Sequence, residues 1–219
     1  MPLKNIAPVA GKPLIRYTTE LVSELHWVDG AVVSTDNDDI AAEALVSERV
    51  NVVWRPERLA GDRVGDMPVL AHALGQAESE SAVLFDVVVM LQPTSPLRTA
   101  NDVLDCVRVL IAEDCDAVWT LSETNATYHP EKQVKLLPNG RIGFYVEAGS
   151  QIIARQQLDP AFHRNGAAYA FTADFVRTAE SVFSPGRSGA VLTTGSHISI
   201  DTSEDLLAVE QILQQRQSK

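Results

Sequence analysis

Apolar and polar positions change period several times along this chain, and the changes mark out its elements. Val87–Leu91 is the most apolar run, and its length suits a strand covered on both faces. A polar loop with Pro93 and Pro96 follows. Proline fixes φ and donates no N–H, so this loop is stiff. Thr99 with Asp102 three residues on predicts a capped start for a helix over roughly Asn101–Glu113. Strand, rigid loop and helix in that order put polar groups at the carboxyl end of a strand, where parallel α/β sheets hold ligands. The plainer alternative is an ordinary connection stiffened by two prolines.

The same reading extends in both directions. Residues 1–11 read as loop. Leu14, Ile15, Leu21, Val22 and Leu25 form a helical stripe over Lys12–Leu25. Strands are expected at Gly30–Val33, Val50–Trp54 and Asp116–Leu121, with helices at Asp38–Val46 and Met67–Ala77 between them. This alternation predicts an α/β fold, doubly wound around a mostly parallel sheet. After Ser122 the rhythm shifts to short alternating runs, Gln133–Leu137 and Arg141–Val146, around Pro138-Asn139-Gly140, a hairpin pattern. A strand at Ala167–Phe171, a short helix at Asp174–Ser181, short strands at Val191 and Ile198–Ile200 and a helix over Thr202–Gln215 complete the chain. The whole reads as one domain, residues 1–219, with residues 122–165 as an excursion.

Composition narrows the partners. At 219 residues and 45% hydrophobic, the chain can bury a sizeable core. Its formal net charge of -11 disfavours non-specific binding to nucleic acid or anionic membrane. An anionic nucleotide would therefore need a local site of reversed sign. Cys106 and Cys115 make neither a disulfide framework nor a metal-ligand spacing. No signal peptide and no apolar run near 18 residues is present, so a cytoplasmic protein is the expectation.

Leu91-Gln92-Pro93-Thr94-Ser95-Pro96-Leu97-Arg98 also resembles the signature of the cytidylyltransferases that activate sialic acids and related nine-carbon sugar acids as CMP-sugars. Pro2-Leu3-Lys4-Asn5-Ile6, Gly11-Lys12-Pro13-Leu14-Ile15, Val33-Ser34-Thr35-Asp36, Arg55-Pro56, Leu59-Ala60-Gly61-Asp62, Arg164-Asn165-Gly166 and Ile200-Asp201-Thr202 are similar to that family's other motifs, in the same order. The resemblance implies the Rossmann-like fold of nucleotide-diphospho-sugar transferases. It implies a reaction in which the anomeric hydroxyl of a 2-keto sugar acid attacks the α-phosphorus of CTP and expels pyrophosphate, with Mg²⁺ as cofactor. It also implies a homodimer built through the excursion.

Residue roles follow from the same resemblance. Lys4 contacts phosphate, Asn5 the nucleotide, and Arg55 the cytosine edge, which a planar fork of donors suits; Asp62 belongs to the nucleotide motif. Gln92, Lys132, Arg155, Asn165 and Tyr169 fall to the sugar acid, Arg155 matching its carboxylate bidentately. Asp201 holds Mg²⁺, a cation that takes carboxylate, phosphate and water oxygens. Each has a bland alternative: a solvated lysine for Lys4 or Lys132, a turn residue for Asn5, a surface ion pair for Arg55 or Arg155, a loop-tying amide for Gln92, a core-facing ring for Tyr169, and a helix-capping acid for Asp201.

The pattern departs from the family in three places. Gly65-Asp66 stands where a small polar residue is common, and Ser199 where a second aspartate is common. The strand and glycine-rich basic loop that normally precede Pro-x-Lys-Asn are not in this sequence. Either the start is placed too late, or this is a truncated homologue that binds ligand without transferase activity. Among active relatives, the eight-carbon 3-deoxy-manno-octulosonate cytidylyltransferase is the nearest rival reading.

Overall fold

The computed structural model describes residues 3–61 and 63–217. It contains two compact units, residues 1–120 with 165–219, and residues 121–164.

The first unit opens with a 3₁₀ turn at Lys4–Ile6 and a small antiparallel hairpin, β1 (Pro8–Val9) and β2 (Lys12–Pro13), where the periodicity predicts only loop. Strands this short carry no alternation to read. Helix α1 (Leu14–Glu24) follows directly. Strands β3 (Val32–Thr35) and β4 (Asn51–Trp54) pair in parallel, with α2 (Asp38–Ala44) between them in sequence. Asn37 caps α2 by accepting from the Ile40 N–H. Helix α3 (Asp66–Ser81) runs on past the predicted end and stops at Ala82, which takes the left-handed conformation.

The strand expected at Val87–Leu91 is β5 (Val87–Met90). It pairs antiparallel with β9 (Phe162–Thr172) in a four-stranded sheet of order β10-β6-β9-β5, where β6 is Ala117–Glu123 and β10 is Ser188–Leu192. Val87 and Val89 pack into a cluster with Val103, Cys106 and Leu110, and Val88 and Met90 into one with Met67 and Leu74. Apolar side chains thus cover both faces of β5, as its sequence predicts, while all four of its residues remain partly exposed. The cause is its outer edge. Among the described residues, β5 and β3 each lack a ladder partner on one side, and the pair β3–β4 forms a sheet of its own.

Helix α4 (Ala100–Ala112) has the predicted capping box: the Asp102 N–H donates to the Thr99 hydroxyl, and the Thr99 N–H to the Asp102 carboxylate. Helices α5 (Ala173–Thr178) and α6 (Ser203–Gln217) complete the unit. Ile198–Ile200 is not a strand. Ile198 and Ile200 instead pack with Leu97, Val209 and Leu213. Their apolarity comes from this packing rather than from a ladder.

The second unit contains the predicted hairpin, β7 (Val134–Leu136) and β8 (Ile142–Phe144), antiparallel, and several 3₁₀ turns. Two close fits hold it. A Cβ on Gly149 would overlap the Glu131 carbonyl oxygen, so only glycine allows this approach. His129 is buried, and its Nδ1 accepts from the Glu131 N–H at 3.3 Å. Its Nε2 is therefore the protonated nitrogen and donates to the Asp159 carbonyl at 2.9 Å.

No helix among the described residues is long and apolar enough to cross a membrane.

Candidate functional site

The loop Leu91–Thr99 is the hub of the first unit. Ser95, Pro96, Leu97 and Arg98 are buried, and Leu97 joins a cluster with Val9, Leu14, Ile200, Val209 and Leu213. That cluster draws the first and last segments of the chain to the loop. The Ile200 N–H donates to the Thr94 carbonyl at 2.8 Å, and the Ser199 hydroxyl lies 3.3 Å from that of Thr94. The Ala10 N–H donates to Glu210 on α6 at 2.8 Å.

This packing brings Lys4 and Asp201 together. Lys4 Nζ donates to Asp201 Oδ1 at 2.8 Å, although the residues are 197 positions apart. Asp201 is 71% exposed, and an ion pair that open to water contributes only about 0–1 kcal/mol. The pair is thus a weakly held, accessible arrangement of a cation and a carboxylate. Capping of α6 falls elsewhere: the Thr202 hydroxyl accepts from the Asp205 N–H at 3.2 Å, and Asp205 accepts from the N–H groups of Asp201 and Thr202. These hydrogen bonds hold the Asp205 carboxyl below its ordinary range. The Asp201 side chain is free of that duty. Asn5 lies partly buried in the same 3₁₀ turn as Lys4.

Arg55, at the carboxyl end of β4, forms no ion pair among the described residues. Its Nη2 donates to the Ser34 carbonyl at 2.6 Å and its Nε to the Ser34 hydroxyl at 3.3 Å. The guanidinium is thereby fixed across the carboxyl ends of the parallel pair β3–β4. Asp62 lies outside the described residues.

Gln92 and Asn165 are neighbours through Gly166. Gly166 has φ +72, and a Cβ built there would lie 2.7 Å from Ser95 Oγ and 3.3 Å from Gln92 Oε1. Asn165 is buried; its amide donates to the Thr193 hydroxyl at 2.7 Å, and its carbonyl side accepts from the Ala167 N–H at 3.1 Å. Tyr169 is 5% exposed, in the core, edge-on to Trp119 with ring centroids 6.2 Å apart. Lys132 and Arg155 are exposed residues of the second unit, each in a 3₁₀ turn.

The residue that sequence reasoning passed over is Arg98. It lies inside the quoted motif, yet nothing local says that an arginine there is buried. It is 6% exposed and donates to the carbonyls of Gln92 and Ala167 and to the Thr18 hydroxyl. The only hint in the sequence was its place between two prolines' rigid loop and a capped helix.

Among the described residues, no group of three or more His, Cys, Asp or Glu is arranged to hold a metal. Asp201 is a single accessible carboxylate. That donor set suits Mg²⁺, which keeps several waters and takes phosphate oxygens besides one or two carboxylates.

The chain is similar to proteins of known family. A pseudaminic acid cytidylyltransferase of Campylobacter jejuni is 26% identical over 206 residues, which are 94% of this chain and 87% of that protein. An N-acylneuraminate cytidylyltransferase of Streptococcus agalactiae is 26% identical over 211 residues, 95% of this chain; the chain spans 49% of that relative's own length. In fold, the chain resembles a CMP:2-keto-3-deoxy-manno-octonic acid synthetase complexed with CTP, with a TM-score of 0.69 at 17% identity, covering 99% of this chain and 93% of the other. The family model described as cytidylyltransferase matches residues 1–217, and the chain therefore belongs to the cytidylyltransferase family.

Proposed function

We propose that the protein joins CTP to a nine-carbon 2-keto sugar acid of the sialic acid type, releasing pyrophosphate and a CMP-sugar. The observation that carries this reading is the pairing of Lys4 with Asp201 beside the Leu91–Thr99 loop. Two motif residues far apart in the chain meet there, and in this reading the nucleotide's phosphates bind beside them.

In this reading Lys4, a mobile point charge, follows the negative charge that builds on the departing pyrophosphate. Asp201 would hold Mg²⁺, which when bound neutralises phosphate charge and aligns the displacement. Lys4 and Asp201 then separate, each to its ligand, at little cost because their pairing is exposed. Arg55, steadied by Ser34, presents donors to the base, with Asn5 and Asp62 completing the nucleotide side. Gln92, Asn165 and Tyr169 shape the sugar side, with Lys132 and Arg155 for the sugar carboxylate. The protein is further proposed to be a cytoplasmic homodimer. Relatives that act on pseudaminic and N-acylneuraminic acids support the nine-carbon class.

The test is pyrophosphate release by the purified protein with CTP, Mg²⁺ and a panel of nine-carbon acids, with the eight-carbon 3-deoxy-manno-octulosonate included. Release that requires both CTP and a nine-carbon acid is expected. In the active enzyme, Arg155→Ala should raise the sugar KM about ten- to a hundredfold and leave CTP binding unchanged. Preference for the eight-carbon acid would move the substrate class. CTP binding without any release would favour the ligand-binding homologue.

A further inference from the structure

Arg98 is a buried cation without a hydrogen-bonded carboxylate in the contacts described for it, an expensive arrangement that calls for an explanation. Its guanidinium joins three segments. Nε donates to the Ala167 carbonyl at 2.6 Å, Nη1 to the Thr18 hydroxyl on α1 at 2.7 Å, and Nη2 to the Gln92 carbonyl. Nη2 also lies 3.5 Å from the Gly166 carbonyl. Besides Thr18, the acceptors flank two of the residues assigned to the sugar side, Gln92 and Asn165: the Gln92 carbonyl itself, and the Gly166-Ala167 stretch just after Asn165. Around the same junction the Ser95 hydroxyl donates to the Asn165 carbonyl at 3.4 Å, and the Ser95 N–H to the Gln92 carbonyl at 3.2 Å. Gly166, at φ +72, leaves no space between turn and loop.

We infer that Arg98 is a positioning residue for the sugar-acid side of the site: its fork pins the Gln92 loop to the Asn165-Gly166 turn, so that both are held in one geometry before substrate arrives. The inference rests on the function proposed above. A lone ammonium could not replace the fork, because three acceptors on three segments need divergent N–H groups at fixed angles. Burial lowers the Arg98 pKa to about 9, with Asp102 partly opposing the shift, so the group is still charged at neutral pH. Its charge is directed onto backbone carbonyls, which fix chain position. Arg55, the proposed base contact, is held by Ser34 on a different sheet, so the nucleotide grip should survive a change at Arg98.

The experiment is steady-state kinetics on the whole protein, with CTP and sugar-acid affinities by calorimetry and melting temperature recorded alongside. Arg98→Lys should lower kcat/KM for the sugar acid about 10–100-fold, with a raised sugar KM and a CTP affinity within about twofold of wild type. Gly166→Ala keeps every charge but places a methyl against Ser95 Oγ; it should shift the sugar KM in the same direction. Adding Ser95→Ala to Gly166→Ala removes the atom in the way and should restore part of that loss, a rescue that general destabilisation would not give. Ser95→Ala alone is a mild variant that folds and should raise the sugar KM by a small factor. If Arg98→Lys and Gly166→Ala lower only the melting temperature and keep the sugar KM, Arg98 is structural and this inference is overturned. If wild type itself ignores every sugar acid, the proposed function fails, and this inference with it.

Discussion

At the scale of residues, Lys4 and Asp201 share one contact and should fail differently. Their ion pair is open to water and adds at most about 1 kcal/mol, so removing either should barely move stability. Lys4→Ala should weaken CTP and slow turnover. Asp201→Ala should lower kcat and raise the Mg²⁺ concentration needed for half-maximal rate, while Ser199→Asp, which adds a carboxylate two residues away, should reduce it. Metal titrations at saturating substrate would measure these effects. Equal loss of melting temperature in both alanine variants, with unchanged kinetics in the folded fraction, would make the pair a surface ion pair only. Arg98 shows what residue-level reading lacks. Its neighbours in sequence are legible as a motif, but its burial depends on Thr18 and Ala167, neither of them near it in the chain.

At the scale of elements, the capping boxes carry the clearest physics. Thr99–Asp102 starts α4 at the predicted place, and Thr202–Asp205 starts α6. The N–H groups of Thr202 and Asp201 and the Thr202 hydroxyl hold the Asp205 carboxyl below its ordinary range. In acid the unfolded chain therefore binds a proton at Asp205 before the folded chain does. The stabilisation this cap gives is complete above the ordinary aspartate value of about 4 and is lost as pH falls through the lower folded value. Asp205→Asn should remove that part of the acid dependence and leave stability near neutrality slightly lower. Thermal melts of both forms between about pH 2 and 6 would show it; parallel curves would sink the assignment. The elements that the pattern missed are those whose stability comes from neighbours. The β1–β2 hairpin has two residues a side. Strand β9 begins at Phe162, five residues before the predicted start, where His163 and Arg164 break the apolar pattern but β6 supplies ladder bonds.

At the scale of the whole molecule, the second unit exposes apolar side chains that its small core does not cover. Leu136 is 77%, Ile142 69% and Ile153 91% exposed. We take these exposed apolar side chains as the contact of the proposed homodimer through residues 122–165. Sedimentation at tens of micromolar should give a dimer, and Leu136→Asp with Ile142→Asp should give a monomer of unchanged secondary structure. A wild-type monomer under those conditions would remove the dimer from the proposal.

By itself the sequence determined the α/β alternation, the strand-loop-helix at Leu91–Thr99, the capping box behind it and the hairpin near 138–140. These depend on hydrogen bonds between near neighbours and on periodicities of a few residues, which the order of residues within each stretch reveals. Only the tertiary structure decided that Lys4 meets Asp201, that Arg55 is held by Ser34, that Arg98 is buried under three segments, and that β3–β4 stands as a sheet apart from β5. The first three join groups far apart in the chain. Which distant groups meet is set by how apolar clusters such as Val9, Leu97, Ile200 and Val209 pack together, and hydrophobic burial has no direction or partner written into any one stretch.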